Sequence, residues 1–392
     1  MSLFISPVNI EAGPGVLQEV PNFLEKLGGT RVFVFADPGI VQIGLVNKLE
    51  TILQSRNIPY EIYSELQPEP PLAVADKAVD ALRRSSADFV IGMGGGSALD
   101  IAKAAAALKV HEGSTGDYLN LTGTKRLQRK GLPLMLIPTT SGTGSEVTNI
   151  AVFSLDDTKD VITDPYLMAD VALVDPELTY TLPPHVTAAT GVDALTHAVE
   201  AYISIHATPL TDGLAETAIS LIAGSIRTAV WNGKDQKARQ RMSWGSLIAG
   251  LSFYNAGVSG VHALAYPLGG MYHLPHGVCN AVMLPYVFDY IWPSCMDKMA
   301  RIAQLLGVRT ESMSVRDAAV AAVAALRDIV RDTGIPLTLK EHGIKEDDLD
   351  KLAKAGIEQK RLLARSPKPY TLDDVRRIYQ AAYDGYLALG QE

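Results

Sequence analysis

Only two cysteines, Cys279 and Cys295, occur in 392 residues. One pair cannot staple a chain of this length, so the fold must rest on a packed core, and the low thiol count fits a reducing compartment such as the cytoplasm. Positive charge is also in short supply. Lys and Arg number 35 against 43 Asp and Glu, a net charge of −8, and the densest basic stretch, Lys125 to Lys130, is short. That balance argues against nucleic acid as a partner. No apolar run approaches the roughly 18 residues of a membrane span. The opening residues, Met1 to Pro7, lack the basic and apolar regions of a secretory signal. The expectation is a soluble cytoplasmic protein with no membrane partner, long enough for two or three domains and, at 47% hydrophobic and 20% charged residues, able to build a sizeable core.

What is present changes character midway. The first half alternates short apolar runs with helix-period stretches. Strands are expected at 31–35, 60–63, 88–91, 134–137 and 171–174, with helices at about 41–56, 72–85 and 98–108. Such alternation implies a parallel sheet covered on both faces. After Leu182-Pro183-Pro184 the patterning is helical, with candidates at 188–205, 211–231, 236–253, 296–306, 314–333, 346–354 and 371–388. The expected architecture is an α/β domain over 1–184 and an all-helical domain over 185–392, packed with a cleft between them.

Two turns in the first half suit a nucleotide. The Gly92-Met93-Gly94-Gly95-Gly96-Ser97 segment sits between a strand and a helix that contains Asp100. Glycines admit a phosphate close to the backbone, and a helix start offers free N–H groups. A purely structural turn remains the alternative, because the third glycine of the usual dinucleotide fingerprint is Ser97 and the candidate acid, Asp37, precedes the turn instead of following it by about 20 residues. Asp37, at the end of an earlier strand, could instead accept from a ribose hydroxyl, or simply serve the turn at Pro38-Gly39. Pro138 leads into a second loop, Thr139 to Ser145, in which every residue is glycine or carries a hydroxyl. It could wrap a polar ligand or be merely solvated.

Five of the eight histidines fall within about eighty residues. Asp193 and His197 are spaced i, i+4 and so share a helix face with apolar flanks. An Asp–His hydrogen bond in a core would account for that pair alone. The segment from Gly260 to Gly277 adds His262, His273 and His276 in an apolar, glycine-rich setting. Asp193, His197, His262 and His276 could form a site of three imidazoles and one carboxylate, a donor set suited to iron or zinc. His273 is then a spare histidine beside the metal or the substrate.

Taken together, these segments over roughly residues 10–388 resemble the iron-dependent, or group III, alcohol dehydrogenases. The resemblance implies a dehydroquinate synthase-like fold with an N-terminal dinucleotide-binding domain and a helical C-terminal one. It implies a divalent metal, Fe2+ first and Zn2+ second, held by Asp193, His197, His262 and His276. It further implies NAD, with Gly94, Gly95, Gly96 and Ser97, followed by Asp100, at the pyrophosphate and Thr139, Thr140 and Thr143 in the second nucleotide loop. Asp37 matches an acid that goes with NAD preference. Lys159 and Leu178 match positions near the ribose and on the adenine side. The partners implied are a small alcohol or aldehyde substrate and further copies of the chain, as a dimer or larger.

One position departs from the family. Many members read His-Ala-x-x-His-Pro where this chain has His262-Ala263-Leu264-Ala265-Tyr266-Pro267. The second histidine, near the nicotinamide in the family, is discussed as a proton relay. Tyr266, with His273 seven residues on, is the candidate here. Hydroxyacid–oxoacid transhydrogenases also resemble the Tyr-Pro version and give an alternative activity. From other classes, a metal-dependent lyase or hydrolase of a phosphorylated substrate, or a nucleotide binder without catalysis, would use the same glycine turn.

Overall fold

Alternation of β-branched and aromatic residues sets the first unit. In the strand Val32–Ala36, Phe33 and Phe35 point to one face and Val32, Val34 and Ala36 to the other, and all five are buried. A strand apolar on both faces demands cover on both. The computed structural model describes residues 3–155 and 159–389. Two compact units emerge, Ile5–Tyr180, and Thr181–Glu392 together with Met1–Phe4.

The first unit carries strands β1 (Asn9–Ala12), β2 (Val32–Ala36), β3 (Tyr60–Tyr63), β4 (Phe89–Gly94), β5 (Leu134–Pro138), β6 (Ile150–Ser154), β7 (Lys159–Thr163) and β8 (Val171–Val174). Six of them form a parallel sheet in the order β1-β8-β5-β4-β2-β3. Helices Leu72–Arg84 and Gly96–Leu108 cover one face, packing against Phe33, Phe35, Leu134 and Leu136. Val20–Leu27 and Asn47–Ser55 cover the other, against Val32, Val34, Ile91 and Ile137.

The chain leaves β2 toward β3 on one side and β4 toward β5 on the opposite side. Such a reversal opens a crevice at the carboxyl ends of β2 and β4, where parallel α/β sheets bind ligands. Register aligns those ends: Ala36 lies opposite Met93, and Gly94 opposite Pro138.

The second unit is helical, as its patterning implied. Its core includes Val192, Leu195, Val261, Leu264, Val282 and Phe288. Three helices matter most below: Pro184–Ile203, Gly260–Tyr272 and His276–Ile291.

Some elements differ from the sequence expectation, each for a local reason. The 41–56 helix is two helices, Pro38–Gln42 and Asn47–Ser55, broken at Gly44, whose φ is +70°. The 211–231 helix is likewise split, into Pro209–Ala223 and Ile226–Trp231, around Gly224-Ser225. The 371–388 helix stops at Asp384 because Gly385 turns left-handed, with φ +78°. Strand β1 and the antiparallel β6–β7 hairpin were not expected. Strand β1 is only four residues long and mixed in burial, and Lys159 and Asp160 open β7. Among the described residues no single helix is long and apolar enough to cross a membrane.

Candidate metal centre and nucleotide crevice

Asp193, His197 and Glu200 occupy positions i, i+4 and i+7 of the Pro184–Ile203 helix, so one face presents all three. His262 projects from Gly260–Tyr272, and His276 opens the His276–Ile291 helix. One donor atom from each of Asp193, His197, His262 and His276 lies within 4.8 Å of the others. The imidazoles form a stack: ring centroids are 4.7 Å apart for His197–His262 and 5.4 Å for His262–His276. Phe253 closes the far side of His197 at 4.2 Å.

The cluster fits a cation. Burial would by itself raise the Asp193 pKa, but His197, His276 and His262, with a hydrogen bond from Asn280, hold it below the ordinary carboxylate value. Asp193 and Glu200 are both buried and, among the described residues, form ion pairs only with histidines. Two buried carboxylates without a lysine or arginine are costly unless positive charge is supplied. A hydrogen-bond donor already occupies the focus: the Asn280 amide nitrogen is 2.7 Å from Asp193 Oδ1, 3.1 Å from His262 Nε2 and 3.2 Å from His276 Nε2. Its Oδ1 is buried without a hydrogen-bond partner.

Glu200 and Asn280 escaped the sequence reading. Their signals were present, as the i+7 spacing from Asp193 and the i+4 spacing from His276, but neither residue type announces itself as part of a metal site. Tyr266 is one turn beyond His262 and its ring is 6.1 Å from that of His276. His273 is not brought into the cluster. It is exposed at the C-cap of the Gly260–Tyr272 helix, in the left-handed region with φ +55°.

In the α/β unit the crevice gathers most of the expected nucleotide residues. Asp37 Oδ2 accepts from the Gly95 N–H at 2.6 Å. Burial pushes the Asp37 carboxyl up, and that bond draws it back. Close approach explains two glycines. A Cβ on Gly94 would lie 2.3 Å from Asp37 Oδ2, and one on Gly96 2.8 Å from Thr143 Cγ2. Thr140 flanks Gly95, and the Thr139 N–H donates to the Gly94 carbonyl at 2.9 Å. Ser97 Oγ accepts from the Glu69 N–H at 3.1 Å, and Lys159 pairs with the Glu69 carboxylate at 3.0 Å, so Glu69 links Lys159 to the glycine turn.

Asp100 faces the protein. One oxygen accepts from Ser145 Oγ at 2.6 Å and Lys103 Nζ at 3.0 Å, the other from Val152 N at 3.0 Å. Lys103 is fully buried and also donates to Thr148 Oγ1 and the Ile150 carbonyl. This network fastens the helix after the glycine turn to the end of the hydroxyl loop. Leu178, 1% exposed, belongs to the core cluster containing Leu17, Val20 and Ile137.

Comparison with known proteins agrees with this geometry. Residues 7–176 match the family model described as iron-containing alcohol dehydrogenase, and residues 187–383 match that of the C-terminal domain of the Fe-containing alcohol dehydrogenase family. The chain is 54% identical over 381 residues to long-chain-alcohol dehydrogenase 1 of Geobacillus thermodenitrificans, covering 97% of this chain and 96% of that one. Among solved structures, 1,3-propanediol oxidoreductase superimposes with a TM-score of 0.94 at 35% identity, over 98% of this chain and 100% of that one. Sulfoacetaldehyde reductase from Bifidobacterium kashiwanohense, solved in complex with NAD+, gives a TM-score of 0.88 at 28% identity, over 97% and 98%. With both halves matched in order, and with the α/β-plus-helical fold of the dehydroquinate synthase-like class, the chain belongs to the iron-containing alcohol dehydrogenase family.

Proposed function

We propose that this enzyme transfers hydride between an alcohol and NAD, interconverting the alcohol with its aldehyde or ketone. The observation that carries the reading is the buried convergence of Asp193, His197, His262 and His276, which would hold a divalent ion, iron first and zinc second. Such an ion supplies Lewis-acid polarisation of a substrate oxygen, and NAD supplies the hydride acceptor.

The chain's own residues do the rest. Asp193 brings the anionic donor and the three imidazoles bring neutral ones. In the α/β unit, the glycine turn Gly94 to Ser97, at the start of a helix, receives the pyrophosphate through the N–H groups of Gly96 and Ser97, while the Gly95 N–H is held by Asp37. Thr139, Thr140 and Thr143 wrap the nucleotide, Asp37 takes the ribose side, and Lys159 and Leu178 lie toward the ribose and adenine. Asp100 acts by holding the two loops together. Tyr266 donates a hydrogen bond on the substrate side, with His273 as the outer end of a proton route.

An apolar cluster of Phe253, Val258, Ala263, Tyr266, Leu362 and Leu363 begins against His197 and His276. That wall suits an apolar carbon chain, in keeping with the name of the Geobacillus relative. Cytoplasmic residence is supported by the low cysteine count, two in 392 residues. Homo-oligomer formation is supported by the exposed apolar side chains of Leu3, Ile5, Val8 and Ile10 on and before the edge strand β1.

The test is absorbance at the reduced-nicotinamide band, with iron- and zinc-loaded protein and a series of linear primary alcohols and aldehydes. The expected result is NAD-dependent turnover whose kcat/KM rises with chain length. A transhydrogenase, the activity suggested by Tyr266-Pro267, would turn over only when a hydroxyacid donor and an oxoacid acceptor are supplied together and would release no reduced cofactor. No turnover with any alcohol or aldehyde would overturn the reading.

A further inference from the structure

Glu200 is completely buried, yet it lies outside the set of atoms that converge on the metal position. Its carboxylate accepts three hydrogen bonds. Oε1 receives Ser259 Oγ at 3.0 Å and the Val261 N–H at 2.7 Å, and Oε2 lies 2.5 Å from His262 Nδ1. A carboxylate is acceptor-only, so the short contact requires the imidazole hydrogen to be on Nδ1. His262 Nε2 then keeps its lone pair, and that atom is the one 3.1 Å from the Asn280 amide nitrogen and 4.0 Å from Asp193 Oδ1.

We propose that Glu200 is a positioning residue that fixes the tautomer and ring orientation of His262, so that Nε2 is always presented as a donor to the metal. The proposal rests on the assignment of Asp193, His197, His262 and His276 as the metal set. A carboxylate behind a ligand histidine both orients the ring and increases its basicity, and losing such a partner typically costs 10–100-fold in metal affinity. Geometry on the helix makes the arrangement economical: Asp193 and His197 bind directly while Glu200, one turn further along the same face, reaches the next helix to set a third ligand.

The isosteric change Glu200→Gln discriminates this role from simple packing. Only one orientation of the amide leaves every group satisfied. Its oxygen accepts from Val261 and Ser259, and its NH2 donates to His262 Nδ1. Nδ1 must then be the acceptor, the ring hydrogen moves to Nε2, and the lone pair needed by the metal is lost. The opposite orientation strands the buried Val261 N–H, a penalty the first avoids.

The experiment uses the full chain, stripped of metal and labelled with 15N-histidine, at pH 8. His262 signals are identified by their disappearance in His262→Asn. Wild type is expected to show the Nδ1–H tautomer and Glu200→Gln the Nε2–H tautomer. Zinc affinity, measured by competition with a chelator, is expected to fall 10–100-fold in Glu200→Gln while the thermal midpoint of the metal-free protein stays near wild type. A wild-type His262 with its hydrogen on Nε2 overturns the proposal, and this reading needs no variant to fold. Zinc affinity in Glu200→Gln within threefold of wild type overturns it as well. If wild type takes up no zinc, the metal assignment fails separately, and the tautomer measurement still decides what Glu200 does.

Discussion

Asp37 and Gly95, from the carboxyl ends of neighbouring strands, are joined by a 2.6 Å hydrogen bond from the Gly95 N–H to Asp37 Oδ2. The bond places a carboxylate at the mouth of the crevice where the chain reverses direction across the sheet. A 2′-phosphate on the ribose would meet that carboxylate with like charge. Asp37→Gly is therefore expected to lower the ratio of kcat/KM for NAD to that for NADP by about tenfold or more, equivalent to about 1.4 kcal/mol. Equal kcat/KM for the two cofactors in wild type would show that Asp37 does not face the ribose.

Removal of a ligand should separate the two halves of the chemistry. His262→Ala and His276→Ala are expected to lose bound metal and turnover while cofactor binding, followed by calorimetry for NAD or by fluorescence for NADH, changes little. Ligand imidazoles must be deprotonated, so metal affinity should also fall as the solution is made acidic. Full activity in chelated, metal-free protein would refute the assignment.

Tyr266 lies one helical turn from His262 and 6.1 Å, ring to ring, from His276. A positioned proton donor contributes roughly 10²–10⁴-fold in rate. Tyr266→Phe should cut kcat by at least about tenfold and leave KM for NAD nearly unchanged. A Phe variant within about twofold of wild type across the pH range would make Tyr266 a packing residue of the apolar wall.

Glu146, at the end of the hydroxyl loop, is buried, and that burial raises its pKa from 4.5 to about 7 against the opposing effects of its own backbone N–H and Lys103. A raised folded pKa for an acid means that the unfolded chain releases its proton first. Between about pH 4.5 and pH 7 the folded state holds more protons, so this group's contribution to stability falls as pH rises. Glu146→Gln cannot ionise and should flatten that part of the stability profile, gaining up to about 3 kcal/mol relative to wild type above pH 7. Denaturant unfolding at pH 5 and pH 8 measures it, and an unchanged slope between the two would mean that Glu146 is ionised at both.

The convergence of Asp193, His197, His262 and His276 was largely legible from the chain alone, because these residues are of chemically distinctive types and Asp193 and His197 carry helical spacing. The alternation of strands and helices also declared the parallel sheet. Less visible were elements defined by their neighbours. Strand β1 is only four residues long, too short for its pattern to stand out, and is a strand because it pairs with β8. Single residues such as Gly44 and Gly385 ended helices whose apolar period ran on.

Sequence by itself determined which donors are available, which side chains share a helix face, and where glycine lets a backbone come close. Only the tertiary structure decided what each donor points at. Asp100 belongs to the motif at the glycine turn, yet both of its oxygens are taken by Ser145, Lys103 and Val152, because the loop that follows β5 folds back onto its helix. Glu200 has the spacing of a metal ligand, yet it reaches His262 Nδ1 instead. Helical periodicity fixes only the direction in which a side chain leaves its own helix, whereas the partner it meets depends on the packing of helices far apart in sequence.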